Sequence, residues 1–529
     1  MSNKEAFRKE IETGYSFEGD SIDVGAAMLN GEALTGSIVK IPLKTLNRHG
    51  LIAGATGTGK TKTLQILAEQ LSLKGVPSLV MDIKGDLSGI AVPGNPHPKI
   101  DERHEKIGFG WTPGGSPVEF LTISGEKGAR LRATVSEFGP VLFSKILSLN
   151  DTQQGIVAVV FKYSDDHQLP LLDLKDFKKV MQYLMTKEGK AEVEEEYGRF
   201  SSVSAGTILR KIIELEQQGA DIFFGEPSFE VEDLLAKDKE GKGIVHILRV
   251  TDIQDKPKLF STFMLQLLAE IYATFPEAGD MDQPKLMLFI DEAHLVFDEA
   301  SDALMDQLEV IVKLIRSKGV GLMFITQNPT DIPDAVLGQL GLKVQHALRA
   351  FTAKDRKAIK LAAENYPLSD YYDIAQIITE LGIGEALVTA LGKKGRPTPL
   401  AHVLLRAPNS RMDVLTKKEI GDILKDSQLI PKYNMPIDRE SAYEILTGKL
   451  EVAGEEETRK EKEADWTKAD KASSRKSEKS LFERVVDSTL TRQIGRTVAR
   501  EVTRGILGVL GIKTTRRRRS TRRRKSSWF

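Results

Sequence analysis

The chain has 529 residues, 40% hydrophobic and 28% charged, and its 75 basic and 75 acidic side chains cancel. It has no cysteine, which excludes a disulfide framework and thiolate chemistry and fits a reducing, cytoplasmic setting. The length suits two or three domains; no apolar run reaches the roughly 18 residues of a membrane span, and the charged start MSNKEAFRKEIETG has no apolar core of a secretory signal.

Residues 1–46 read as a short N-terminal β segment. The stretch RHGLIAGATGTGKTKTL, residues 48–64, follows. Leu51 to Ala55 is an apolar strand, and the spacing G-x-x-x-x-G-K-T is filled by Gly54, Gly59, Lys60 and Thr61. Such a loop, Gly54, Ala55, Thr56, Gly57, Thr58, Gly59, Lys60, Thr61 and Lys62, curls its backbone N–H groups around phosphate oxygens. In that reading Lys60 reaches the β- and γ-phosphates of ATP, the Thr61 hydroxyl is a Mg²⁺ ligand, and the helix from Lys62 to Leu73 points its dipole at the anion.

Further strands are expected at Ser78 to Ile83, Ile244 to Val250, Leu286 to Ile290, Gly321 to Thr326 and Val344 to Phe351, separated by helical patterns as a mainly parallel α/β sheet requires. Between about 130 and 240 the pattern is mostly helical, a helical insertion in an ATPase core of 47–410. Within that core, KLMLFIDEAHLVFD (285–298) ends a buried strand in two carboxylates. Asp291 suits a Mg²⁺ ligand, and Glu292 suits the base that polarises the attacking water. His294 completes the letters DEAH and reads equally as a local hydrogen-bonding residue. GVGLMFITQNPTDIP (319–333) ends a strand in Gln327, whose amide can contact both that water and the γ-phosphate. Arg48, Arg316, Lys318 and Arg349 are cations for a neighbouring subunit's nucleotide, or ordinary ion-pair and helix-end residues.

After 385, EALVTALGKKGRPTPLAHVLLRAP reads as two strands around a turn, and 411–450 as a C-terminal extension of the core. Residues 451–480 are a charged linker too polar to fold. In 481–529, Phe482, Val486, Leu490, Ile494, Val498, Val502, Ile506 and Leu510 recur every fourth position, beside Arg484, Arg492, Arg496, Arg500 and Arg504; 513–525 hold nine basic residues and no acid. This amphipathic helix and basic tail suit a DNA backbone, an anionic membrane surface in peripheral contact, or docking on the protein's own body.

Taken together, RHGLIAGATGTGKTKTLQ, VMDIKGDLSG (80–89), LFIDEAHLVF, ITQNPTDIP and KVQHALRAFTAKD (343–355) resemble the additional-strand, catalytic-glutamate ATPases, and within them the bacterial relatives of the HerA helicase, in the HerA/FtsK group and its YjgR-type branch. The resemblance implies a RecA-like P-loop fold with a strand between the phosphate loop and the carboxylate strand. It implies an ATP- and Mg²⁺-dependent DNA translocase or helicase assembled as a hexameric ring, with Lys60, Thr61, Asp291, Glu292 and Gln327 at the nucleotide. Arg48 and Arg316 are carried over as arginine fingers or sensors, and Asp82 and Asp86 as its acidic second-strand motif. Archaeal members carry an N-terminal β-barrel that docks a nuclease; the roughly 45 residues before the phosphate loop do not hold a barrel, so a nuclease partner is not expected. The competing readings are a conjugative-type protein or nucleoprotein pump ATPase and an ATP-gated scaffold without translocation. A DEAH-type superfamily 2 helicase does not fit the layout, because Asp291 lies too far along the chain from Lys60.

Overall fold

Runs such as LMLFI and VGLMFIT are apolar at every position because both faces of their strands are covered. Leu286, Leu288 and Ile290 enter one core and Met287 and Phe289 the other; Leu322 and Phe324 likewise oppose Met323 and Ile325. The structure is a computed structural model, whose described residues are 3–199, 201–253, 256–297, 302–392, 395–437 and 439–452. The amphipathic helix and basic tail expected in 481–529, and the linker from 453 onward, lie outside them.

Among the described residues one sheet contains twelve strands: β1 (Ser21–Leu29), β2 (Glu32–Pro42), β3 (Gly50–Ala53), β4 (Ser78–Asp82), β5 (Val118–Thr122), β6 (Ala129–Arg130), β7 (Val245–Arg249), β8 (Leu286–Ile290), β9 (Val320–Thr326), β10 (Leu342–Gln345), β11 (Glu385–Thr389) and β12 (Ala401–Leu405). Their order is β2-β1-β12-β11-β10-β3-β9-β8-β4-β7-β5-β6. Neighbours from β10 to β6 are parallel, and the edge from β10 out to β2 is antiparallel. This is the mainly parallel, helix-flanked α/β sheet that the sequence suggests. The strand between the phosphate-loop strand β3 and the carboxylate strand β8 is β9, the strand that ends in Gln327. The inserted strand and the Gln-ended strand are therefore one element.

The chain between β6 and β7 is helical, with helices Val135–Ile146, Asp151–Asp166, Leu174–Tyr183, Lys187–Glu196 and Ser202–Gln217. Reciprocal capping pairs Thr134/Glu137, Asn150/Gln153 and Asp173/Asp176 start the first three. Their aromatic centre is Phe143, whose ring lies 6.0, 4.9 and 6.3 Å from those of Phe161, Phe177 and Phe224. These side chains belong to the same continuous core as one face of the sheet.

Two local expectations are corrected. The strand expected at Val344 to Phe351 occupies Leu342–Gln345. Beyond it His346 and Ala347 leave the sheet to hold the phosphate loop, through His346 N–H to Ala53 O (2.7 Å) and Ala55 N–H to Ala347 O (2.8 Å). A helix, Asn3–Gly14, precedes the N-terminal strands and buries Phe7 and Ile11. After that helix, β1 and β2 form a hairpin that extends the sheet through β12.

Past β12 the chain is tied back onto the core. The buried Glu69 carboxylate, on the helix Lys60–Leu73, accepts the Asn409 and Ser410 N–H groups at 2.7 and 3.0 Å. Glu119 on β5 accepts from Ser427 Oγ at 2.6 Å and Gln428 N–H at 2.9 Å.

Candidate active site

In a parallel sheet the loops after the strands' C-terminal ends form a crevice, and these loops carry the polar residues of β3, β4, β8, β9 and β10 here. The β3 loop turns through Gly57 and Gly59, with φ of +78° and +116°. A side chain on Gly59 is strained by that backbone, and one on Gly54 would meet His346 Cβ at 2.5 Å. The helix Lys60–Leu73 then begins at Gly59 with no side-chain cap, so its first N–H groups are available to an anion. Lys60 Nζ bonds Gly54 O at 2.6 Å and Ala55 O at 3.3 Å, and lies over its own loop. Burial lowers its pKa first, and the charge of Lys84 adds to that.

The turn after β4 is organised by Asp82. Its Oδ1 accepts the N–H groups of Gly85 (2.7 Å) and Asp86 (3.1 Å), and its Oδ2 that of Leu87 (3.3 Å). Burial, with Asp86 adding, pushes the Asp82 carboxyl up to about 7 against those bonds. The turn sets Asp86 Oδ2 3.3 Å from the Thr61 hydroxyl, which donates to it, and sends Lys84 across toward β8.

At the end of β8, Glu292 has φ of +48°, a left-handed backbone uncommon for a residue with a Cβ. The bond from Ala293 N–H to Ile325 O, 2.9 Å, fastens this bend to β9. The Glu292 carboxylate has three partners: an ion pair with Lys84, the Gln327 amide at 3.1 and 3.4 Å, and His294 Nδ1 at 3.3 Å. Asp291 is buried, and its Oδ2 is without a hydrogen-bond partner. Burial pushes the Asp291 carboxyl up to about 6; Lys84 opposes this and Glu292 adds to it.

The orphaned Asp291 oxygen, together with the Thr61 hydroxyl and the Asp86 carboxylate it touches, whose other oxygen is also without a partner, is a hard-oxygen donor set that fits a divalent cation. Among the described residues no group of three or more His, Asp or Glu forms a metal cluster. That is the pattern for an ion such as Mg²⁺, which takes one or two protein oxygens and completes its shell with phosphate oxygens and water.

Lys60, Thr61, Asp291, Glu292 and Gln327 thus come together at one edge. Other expected residues do not join them. The Lys62 ammonium turns away to Met412 O and to Gln65 Oε1 (3.3 Å). Arg48 precedes β3 and Arg316 precedes β9, at the opposite edge; the seven residues of β9 put roughly 23 Å of strand between Arg316 and Gln327. Arg316 and Arg48 lie close enough that, after burial, Arg48 is the next cause lowering the Arg316 pKa. Lys318 pairs with Glu277 at 3.0 Å. Arg349 is on the loop edge, exposed, and donates to Thr379 O at 2.9 Å.

Two residues escaped sequence reasoning. Lys84 sits inside VMDIKGDLSG between the aspartates that drew attention. His346 is buried behind the loop, sharing a 2.9 Å hydrogen bond with Thr63 Oγ1. Burial and then the Lys60 charge push its pKa down to about 4, so it is a neutral support. The strongest signal for it was the polar pair Gln-His ending an apolar strand.

The family profile described as "Helicase HerA-like C-terminal" matches residues 28–518. The "DNA double-strand break repair helicase HerA" of Saccharolobus solfataricus is 22% identical over 394 residues, 73% of this chain and 69% of that protein. Its namesake from Sulfolobus acidocaldarius is 23% identical over 360 residues, 66% of this chain and 64% of that protein. The chain thus spans about two thirds of the length of these relatives. Among solved structures, the bacterial conjugative coupling protein TrwBdeltaN70 superimposes with a TM-score of 0.51 at 15% identity, covering 77% of this chain and 95% of that one; at that identity the likeness speaks for the fold alone.

Proposed function

Because the chain belongs to the helicase HerA-like C-terminal family, we propose that it is an ATP-hydrolysing motor of the DNA translocase or helicase type, coupling turnover to movement on DNA or pumping of it. The observation that carries this reading is the placement of Glu292, bent out of β8 and bonded to Gln327 of β9, on the same sheet edge as the Lys60 loop.

In this reading the loop N–H groups and Lys60 bind the phosphates, and Thr61 and Asp291 would hold Mg²⁺, which would supply neutralisation of the phosphates' charge. Glu292 accepts a proton from water as the water oxygen bonds to the γ-phosphorus; the bond from that phosphorus to the bridging oxygen breaks, and ADP and phosphate leave. Gln327 orients the same water. Arg48 and Arg316 act on the nucleotide of a neighbouring subunit in a ring, a role supported by their position at the far edge from their own site. Among the described residues no helix is long and apolar enough to cross a membrane. Glu292→Gln is expected to lower kcat by 10² to 10⁴, the usual worth of a general base, while nucleotide binding persists. Normal turnover in that variant would remove the catalytic assignment.

A further inference from the structure

Glu292 is fully engaged in this conformation. Both oxygens of this carboxylate are taken, Oε1 by the Lys84 ammonium and Oε2 by the Gln327 amide and the His294 ring, so a water has to displace one of these groups to reach it. Of the three partners, Lys84 is the one that an arriving anion draws away: Gln327 is a neutral amide, whereas Lys84 is a point charge on a flexible stem, its side chain 35% exposed against 27% for His294. Its turn is rigid, fixed by three backbone N–H groups on Asp82, so only the side chain has to move. It also lies within electrostatic reach of Lys60 and of Asp291. Two ammonium groups, Lys60 and Lys84, therefore lie within electrostatic reach of the same pair of carboxylates, Asp291 and Glu292.

We propose that Lys84 is a phosphate-sensing cation that exchanges Glu292 for the γ-phosphate of bound ATP, so that the arrival of the triphosphate itself unlatches the catalytic base. This rests on the ATPase reading above. The γ-phosphate carries more charge than a single carboxylate and sits between two ammonium groups, so it is the better partner for Lys84. ADP lacks that group and leaves the Lys84–Glu292 pair intact. The base is thus held out of action until there is a bond to cleave, and is recaptured once phosphate departs.

The test uses the full chain with Lys84→Met, Lys84→Arg, Glu292→Gln and the double variant Lys84→Met/Glu292→Gln. Affinities for ADP and for a β,γ-imido ATP analogue are measured by competition against a fluorescent nucleotide, together with ATPase rates. Lys84→Met should bind ADP within about twofold of wild type, lose roughly tenfold on the analogue and lose roughly 10²-fold in kcat, the usual worth of one preorganised charge contact; Lys84→Arg should keep the preference for the triphosphate. Glu292→Gln, which removes the competing anion, should bind the analogue several-fold more tightly than wild type, and this gain should vanish in the double variant. Equal losses on ADP and analogue, or a Glu292→Gln gain that survives without Lys84, would overturn the exchange and leave Lys84 a structural ion-pair residue. Wild-type protein that binds and hydrolyses ATP while Lys84→Met matches it in every readout overturns the proposal alone; wild-type protein that binds no nucleotide overturns the ATPase reading and the proposal with it.

Discussion

Gln327, at the end of β9, donates its side-chain amide to Glu292, at the end of β8, 3.1 Å from one carboxylate oxygen and 3.4 Å from the other. The two strands are neighbours, so this bond spans the seam between the element next to the phosphate loop and the element that carries the carboxylates. Gln327→Ala is expected to leave ADP affinity within about twofold and to lower kcat by 10- to 10²-fold, the cost of misaligning a positioned group. Steady-state rates with parallel ADP titrations decide this. A variant that loses ADP affinity as much as turnover would show that Gln327 serves the fold of the site instead.

The Asp291 carboxyl makes a pH prediction. Its pKa is pushed up to about 6, chiefly by burial. Only the ionised form holds a divalent cation, so affinity for Mn²⁺ in the presence of ADP is complete above that value. It falls by up to about tenfold per pH unit below it. ADP titrates too, so the comparison is with Asp291→Asn, which should bind weakly and show only the nucleotide's share of the slope. Identical slopes for the two proteins between pH 5 and 7 would dismiss Asp291 as a ligand.

Phe143 tests whether the helical insertion folds with the ATPase core. It is fully buried among Phe161, Phe177 and Phe224 within a core shared with the sheet. Phe143→Ala should cost about 3–5 kcal/mol, seen in urea unfolding as a displaced single transition. A separate early transition, with the rest of the curve unmoved, would mean that the insertion unfolds on its own.

Gly59→Val should abolish nucleotide binding. The backbone there has φ of +116°, which a β-branched residue does not adopt without strain, and the loop has to curl at this point to present its N–H groups. Retained affinity in an equilibrium titration would contradict the cradle assigned to residues 54–61.

Much of the fold was legible because parallel strands buried on two faces leave continuous apolar runs, and LIA, SLVMD, LMLFI and VGLMFIT each stand out between polar loops. The chemistry was legible where it sits at strand ends, as with Asp291, Glu292 and Gln327. What escaped notice depends on contacts distant in sequence. Lys84 acquires meaning only when β4 and β8 lie side by side, since a lysine in a Gly- and Asp-rich turn otherwise reads as solvated. His346 reads as part of a longer strand, because an apolar run does not reveal that its neighbour Ala347 bonds Ala55 of the phosphate loop, far back along the chain. The helix Asn3–Gly14 buries too few side chains, Phe7 and Ile11, to announce a stripe. Strand β5, VEFLT, is short, and its pairing with β7 is visible only in the sheet.

If hydrolysis at the Lys60–Glu292 site drives work on DNA, turnover must respond to DNA. Its most direct measurement is the ATPase rate with and without duplex DNA, on protein whose mass in solution with nucleotide has been determined, with Glu292→Gln as the blank. The expected result is a rate that rises severalfold with DNA, in an assembly larger than one chain, and is lost in the blank. A rate indifferent to DNA from a monomeric protein would contradict it.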